Sequence, residues 1–243
     1  MTRILTVFAL LAATAAAQTT GVPVLVELFT SEGCSSCPPA DALLAELSGP
    51  RGVPGAEVVP LSLHVDYWNR LGWTDPFSSA AFSERQSSYA KGGGIYTPQM
   101  VVDGGVELVG SDRTRARAAI AAASRAPKVP LEVRVAPSGP SALTAQITAP
   151  PLPPGGSGAD LFVALTEDGL VSDVARGENA GRRLPHAAVV RVLERVARGK
   201  AGAPLAAERS FRLEDGWRRQ AIQVVAFLQE KGGRVIAVAR AGR

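Results

Sequence analysis

The surroundings of the two cysteines constrain this chain most. Val22 to Phe29 (VPVLVELF) is dense in β-branched and apolar residues, the composition of a buried strand. Thr30 to Gly33 turns the chain, and Cys34-Ser35-Ser36-Cys37 follows. From Cys37 to Leu47, residues Ala40, Leu43, Leu44 and Leu47 recur at i, i+3, i+4 and i+7, one apolar face of a helix. Pro38 and Pro39 fit only in the first turn of that helix, where a missing N–H costs nothing. Gly49-Pro50 stops it. Cys34 therefore falls at or just before a helix start, where unpaired first-turn N–H groups favour a thiolate. On this reading Cys34, the more exposed cysteine, is the nucleophile. Cys37, one turn in, resolves a mixed disulfide.

Both cysteines of the chain lie in this one motif. A stabilising staple gains most by closing a long loop, and four residues is a short one. Redox chemistry is the better explanation, with an inert structural disulfide as its alternative. A metal site would need further thiolates or imidazoles, and only His64 and His186 are present. A set of Cys34, Cys37 and His64 completed by Asp66 is conceivable, but no metal and no cofactor is assigned.

The compartment is read from the N-terminus. One positive charge at Arg3 precedes an apolar run from Ile4 to Ala13, and Ala15-Ala16-Ala17 offers a small-residue cleavage site. The run is shorter than the roughly 20 residues a spanning helix needs. Residues 1–17 thus read as a signal peptide, with no stable membrane anchor after its removal. The remaining 226 of 243 residues suit one large or two ordinary domains. Cleavage lowers the formal charge only from +4 to +3 by removing Arg3. Its arginines are scattered and no aromatic residues alternate with them, so no nucleic-acid partner is expected.

Val58 to Val65 reads as a second strand, with Leu61, Leu63 and Val65 on one face and Ser62, His64 and Asp66 on the other. An aromatic segment follows, in which Tyr67, Trp68, Trp73 and Phe77 either line a groove beside Cys34 or pack the core. A helix is expected over Ser79–Lys91, ended by Gly92-Gly93-Gly94. A hairpin of Gln99–Val102 and Val106–Val109 turns around Asp103-Gly104-Gly105. A last helix runs to Ser124, capped by Ser111, with Asp112 suiting its positive end. Strands beside helices imply a sheet covered by helices on both faces. Ala126 to Pro130 reads as a linker between domains spanning 18–126 and 131–243. Beyond it seven strands separated by Pro- and Gly-rich turns argue for a small β-sandwich. Between two of them Arg176, Glu178, Asn179, Arg182, Arg183 and His186 form either a ligand-binding loop or a turn tied by its own bonds.

The stretches Val26–Asp41 (VELFTSEGCSSCPPAD), His64–Trp68 (HVDYW), Tyr96–Gly104 (YTPQMVVDG) and Gly177–Arg182 (GENAGR), with His186 and Val189-Val190-Arg191, are together specific. Through them the mature chain resembles thioredoxin-like proteins, and closely the exported bacterial family catalogued as domain of unknown function 1223. The resemblance implies a thioredoxin-like α/β domain followed by the mostly β domain, and a periplasmic address, but no settled activity. It also implies two site roles. Pro98 matches the cis-proline that packs against the cysteine pair, leaving the Thr97 backbone to receive an extended peptide. Glu27 matches, one residue further from the pair than usual, an acid that moves the proton of the second cysteine, although it could equally pair with an arginine. Ser35-Ser36 and Gly33 depart from the Gly-Pro and tryptophan usual in the class, so no redox potential carries over.

The function expected is thiol–disulfide exchange with protein or peptide thiols, through Cys34, Cys37, Thr97, Pro98 and Glu27, with a redox partner to recycle the pair. The alternative is a non-catalytic periplasmic binding or assembly module on the same scaffold, with metal handling third.

Overall fold

The computed structural model describes residues 21–90 and 93–242. The expected signal peptide, and the expected end of the second helix at Lys91 and Gly92, lie outside these residues. The front half runs β1 (Val22–Thr30), α1 (Pro38–Leu47), β2 (Ala56–His64), α2 (Ala80–Tyr89), β3 (Gln99–Val102), β4 (Val106–Val109) and α3 (Arg113–Ala123). This is a thioredoxin-like arrangement. β1 pairs in parallel with β2 and antiparallel with β3, and β3 forms the expected hairpin with β4. Alternation along β1 sends Val24, Val26 and Leu28 toward α1 and α3, and Leu25 and Phe29 toward α2. The α3 cap is Asp112, whose carboxylate accepts from the Arg115 N–H at 3.0 Å, rather than Ser111. The shorter reach of a residue directly before the first turn decides it.

The rear half is largely β: β5 (Glu132–Pro137), β6 (Ala142–Ala149), β7 (Ala159–Glu167), β8 (Leu170–Asp173), β9 (Arg183–His186), β10 (Val189–Gly199), β11 (Leu205–Arg212), β12 (Ile222–Glu230) and β13 (Val235–Ala241). The seven expected strands are present with ends shifted by a few residues. The β8–β9 hairpin was not expected. β11, β6 and β5 form a three-stranded sheet. It closes a core of Leu143, Ile147 and Phe211 against Leu161, Val163, Val224 and Leu228 of β7 and β12, a sandwich.

One sheet runs through both halves, in the order β13-β12-β7-β10-β2-β1-β3-β4. The join is parallel pairing of β10 with β2 at Val189 and Ser62, and the Ser62 N–H donates to the Ala188 carbonyl at 2.9 Å. The sheet curls until β13 meets the β3–β4 turn, where the Val235 N–H donates to the Asp103 carbonyl at 2.8 Å. Inside the curl, Leu25, Phe29, Leu61 and Leu63 of the front half pack with Ala164, Val190, Val225 and Phe227 of the rear. The segment read as a linker is pinned across this seam. Lys128 Nζ donates to Asp103 Oδ2 at 2.5 Å, and the Val129 N–H donates to the Ile236 carbonyl at 2.8 Å. Asp103 Oδ1 also accepts from the Leu25 N–H.

Candidate functional site

Cys34 and Cys37 are joined in a disulfide with their Cα atoms 5.4 Å apart. Cys37 is the N-cap of α1 and already has helical dihedrals. The loop before it is fastened by the Cys34 N–H to the Ser31 carbonyl and the Cys37 N–H to the Cys34 carbonyl. The first two helical positions are Pro38 and Pro39, which carry no N–H. The donors expected to favour a thiolate at Cys34 are therefore fewer than the sequence reading assumed.

The Thr97–Pro98 bond is cis. Pro98 Cβ, Ala40 Cβ and Leu28 Cδ1 all lie within 3.1 Å of the place a Cβ on Gly110 would occupy, so Pro98 sits beside the first turn of α1. Trp68 Nε1 donates to Thr97 Oγ1 at 2.8 Å. Trp68 Cβ lies 3.2 Å from where a Cβ on Gly33 would stand. That close approach is a physical reason for glycine directly before Cys34. Trp68 thus spans from the proline loop to the cysteine loop.

Glu27 is not brought to the pair. It lies on the α2 side of the sheet, where Arg85 Nε donates to Oε1 at 2.5 Å and Tyr89 Oη donates to Oε2 at 2.5 Å. The Arg85 guanidinium is also packed over the rings of Phe162 and Phe227. Glu27 is the buried anion of an ion pair that ties α2 to the rear half. Burial and the Glu27 carboxylate beside it hold the Tyr89 phenol well above its ordinary value.

The larger correction concerns exposure. Cys34 and Cys37 are both 0% exposed, whereas Cys34 was expected to be accessible. The polar residues left undecided between two strands form the roof. Four of them, Arg176, Glu178, Asn179 and Arg182, lie on a loop, residues 174–182, between β8 and β9, closed by its own backbone bonds between Val174 and both Gly181 and Arg182, whereas Arg183 and His186 stand on β9. Asn179, fully buried, donates through Nδ2 to the carbonyls of Glu32 at 2.8 Å and Cys34 at 2.9 Å. The Ser35 N–H donates to Glu178 Oε2 at 2.9 Å, and the Ser35 hydroxyl together with that N–H holds the Glu178 carboxyl below its usual range. Arg182 Nη1 in turn donates to Asn179 Oδ1 at 2.8 Å. Sequence reasoning placed this loop near nothing. Its one signal was the density of hydrogen-bonding side chains in Gly177–Arg182.

Behind the disulfide lies a second buried group. His64 Nδ1 is 2.7 Å from Asp75 Oδ2, and His186 Nε2 is 3.0 Å from Glu32 Oε1. Asp75 Oδ2 also accepts from the Glu32 N–H, and Trp73 Nε1 donates to Glu32 Oε2 at 2.8 Å. The rings of His64, His186 and Phe77 meet edge to face at 5.1–5.4 Å. Burial alone would depress His64, but the Asp75, Asp41 and Glu32 carboxylates reverse this and hold it above its ordinary value. Burial would likewise raise Asp75, but His64 and two backbone N–H groups hold it low. Asp41 is raised because burial outweighs the nearby His64, Thr30 hydroxyl and His186. Asp66, the conceivable metal ligand, is turned away: its Oδ1 accepts from Ser83 Oγ. Of the half-buried aromatic residues in Tyr67–Phe77, Trp73 and Phe77 pack around this group, while Tyr67 and Trp68 pack against the core on the α2 side.

The family model described as "Protein of unknown function (DUF1223)" matches residues 25–229, from the first strand through the last but one. The chain belongs to the DUF1223 family. Among solved structures, this DUF1223 protein is similar to protein AGR_C_4864 from Agrobacterium tumefaciens. That match has 27% identity and a TM-score of 0.71, covering 93% of this chain and 96% of the other. It is also similar to HBP35 of Porphyromonas gingivalis, with 15% identity and a TM-score of 0.64, over 92% of this chain and 76% of that one. At that identity the second likeness bears on fold alone. No curated protein matches the chain.

Proposed function

We propose that this DUF1223 protein carries out thiol–disulfide exchange in the periplasm, with Cys34 attacking and Cys37 resolving, on protein or peptide thiols. The observation that carries the reading is the disulfide at the mouth of α1, the helix whose first turn meets Pro98. The apolar N-terminal run and small-residue site support export into an oxidising compartment, where such a pair persists. In the covered state the pair is held oxidised. Exchange then requires residues 174–182 to lift, freeing the Cys34 carbonyl and the Ser35 N–H for an incoming chain. A redox partner returns the pair to its starting state. In the test, Cys37→Ser protein is used to trap partners in mixed disulfides, with Cys34→Ser as control. Trapped species that depend on Cys34 support the reading, and identical patterns in both variants defeat it.

The full burial of both sulfurs favours a second reading, a non-catalytic binding module in which the disulfide only fastens the loop that receives Asn179. Measured against glutathione, a reduction potential far below the pool favours this reading. A value near the pool favours exchange.

A further inference from the structure

Four buried side-chain nitrogen and oxygen atoms have no hydrogen-bond partner among the described residues: Thr30 Oγ1, Asp41 Oδ1, His64 Nε2 and His186 Nδ1. All four belong to the group behind the disulfide. Thr30 and His64 are direct neighbours in the β1–β2 register, so their side chains leave the same face of the sheet, the face that α1 covers. Asp41 is on α1 and lies within electrostatic reach of both imidazoles. Native interiors seldom leave polar atoms unpaired, and four in one place mark a site with work to do.

Charge balance sharpens this. The cysteine loop contributes Glu32, α1 contributes Asp41, and the segment after β2 contributes Asp75. β2 and β9 contribute His64 and His186, while β1 offers only the Thr30 hydroxyl. No lysine or arginine forms an ion pair with Glu32, Asp41 or Asp75 among the described residues. Arg182 and Arg183 line a surface cavity together with Asp41 and His186, and the Arg191 guanidinium lies over the Phe77 ring at 4.9 Å. Two buried carboxylates, Glu32 and Asp75, and the half-buried Asp41 face two imidazoles and need compensating positive charge. Those carboxylates hold His64 above its ordinary value, so a proton on its ring supplies part of that charge.

The cluster is also placed to use a proton. Cys37 has helical dihedrals, and the Asp41 N–H donates to its carbonyl at 3.1 Å. The two residues are therefore one turn apart on one helix face, with Cβ atoms about 5–6 Å apart. Helical side chains lean toward the N-terminus, which brings the Asp41 carboxyl back over Cys37. Glu27, the acid suggested by resemblance, is closed off by Arg85 and Tyr89 on the other side of the sheet.

We propose that Asp41 is the proton acceptor for Cys37, with His64 and Asp75 as the positioning pair that keeps its carboxylate available. This rests on the exchange reading above and supplies its missing base. In the resolving step the Cys37 thiol gives its proton to the Asp41 carboxylate, and the thiolate attacks Cys34 Sγ of a mixed disulfide. The Cys34–Cys37 bond forms and the bond from Cys34 to the partner breaks. The Cys37 sulfur is oxidised, and the partner sulfur is reduced and leaves as a thiolate that takes a proton from water. The Asp41 proton returns to solvent when residues 174–182 lift.

The test mixes reduced protein with dithiobis(nitrobenzoate) and follows thionitrobenzoate release by stopped flow. The first release reports formation of the mixed disulfide at Cys34, and the second reports its resolution by Cys37. Asp41→Asn is expected to slow the second release about 100-fold and to abolish its pH inflection. Asp41→Glu, which keeps the acid, retains the inflection. His64→Gln removes the neighbouring positive charge and moves the inflection to higher pH. A merely structural role would change amplitudes or melting without moving that inflection. A second release in Asp41→Asn with wild-type rate and pH profile overturns this proposal alone. Absence of any release from the wild type overturns the exchange reading, and this proposal with it.

Discussion

At the scale of single residues, the chemistry of this protein is decided by what touches Cys34. The side chain of Asn179 uses both amide hydrogens on backbone carbonyls of the cysteine loop. Each such bond is worth about 0.5–1.5 kcal/mol net, so Asn179→Ala should open the roof roughly tenfold more often. Reduction of the disulfide by dithiothreitol should accelerate by about that factor, and an unchanged rate would show that the roof does not control access. The Cys34–Cys37 pair was legible in the sequence because its spacing is local, whereas Thr97 and Pro98 were singled out only through the family resemblance. The contacts of Asn179 were not legible, since they join residues 145 and 147 positions apart, and no period or propensity encodes that. Glu27 shows the opposite failure. Its place on the strand was readable, but the face it turns to was settled by Arg85, which is 58 residues away.

Elements come next. His64 ends β2 and reaches Asp75 in the segment after it, so the pairing reports on how that segment is docked. His64 is held above its ordinary value, so the stability it contributes is complete below about pH 6.5 and is lost as pH rises through its folded value. Asp75 is held low, so its share is complete above about pH 4 and is lost as pH falls through its folded value. Asp41, held high, adds a cost as pH climbs above the ordinary carboxylate range. Urea midpoints should therefore be highest near pH 4, slope down above it as Asp41 ionises, and decline further toward alkaline pH as His64 loses its proton. In His64→Gln the alkaline decline should be shallower, and equal slopes would count against the pairing. The β3–β4 turn gives a second check. Gly104 has φ +66°, and a Cβ there would stand 1.9 Å from the Gly233 carbonyl oxygen. Gly104→Ala should cost more than about 2 kcal/mol, read as a lower denaturation midpoint. The turn itself was evident from Asp103-Gly104-Gly105, but its role as a seat for the turn before β13 was not. The β8–β9 hairpin escaped notice for a related reason. Its strands are four residues each, too short for alternation to stand out.

For the whole molecule, the division of labour between halves is looser than the change in sequence pattern suggests. The pattern does shift near residue 130, from helices beside strands to strands alone. Packing does not respect that line, because Phe29 and Leu63 share a core with Val225 and Phe227, and β10 continues the sheet from β2. Residues 18–126 and 131–243 made separately should each expose that apolar face and aggregate. The intact chain should instead unfold in one transition, with coincident near- and far-ultraviolet circular dichroism. Two resolved transitions would mean that the seam is weaker than its contacts imply.

Residues 174–182, which bond to the backbone of the cysteine loop, are synthesised long after it. A chain that crosses a membrane head first presents its thiols bare for as long as some 140 residues remain behind them. Whatever oxidises the pair has its easiest access in that interval, and the finished fold then shuts the door on the bond it received. On the export reading, the history of the disulfide is thus set by the timing of delivery as much as by the redox poise outside.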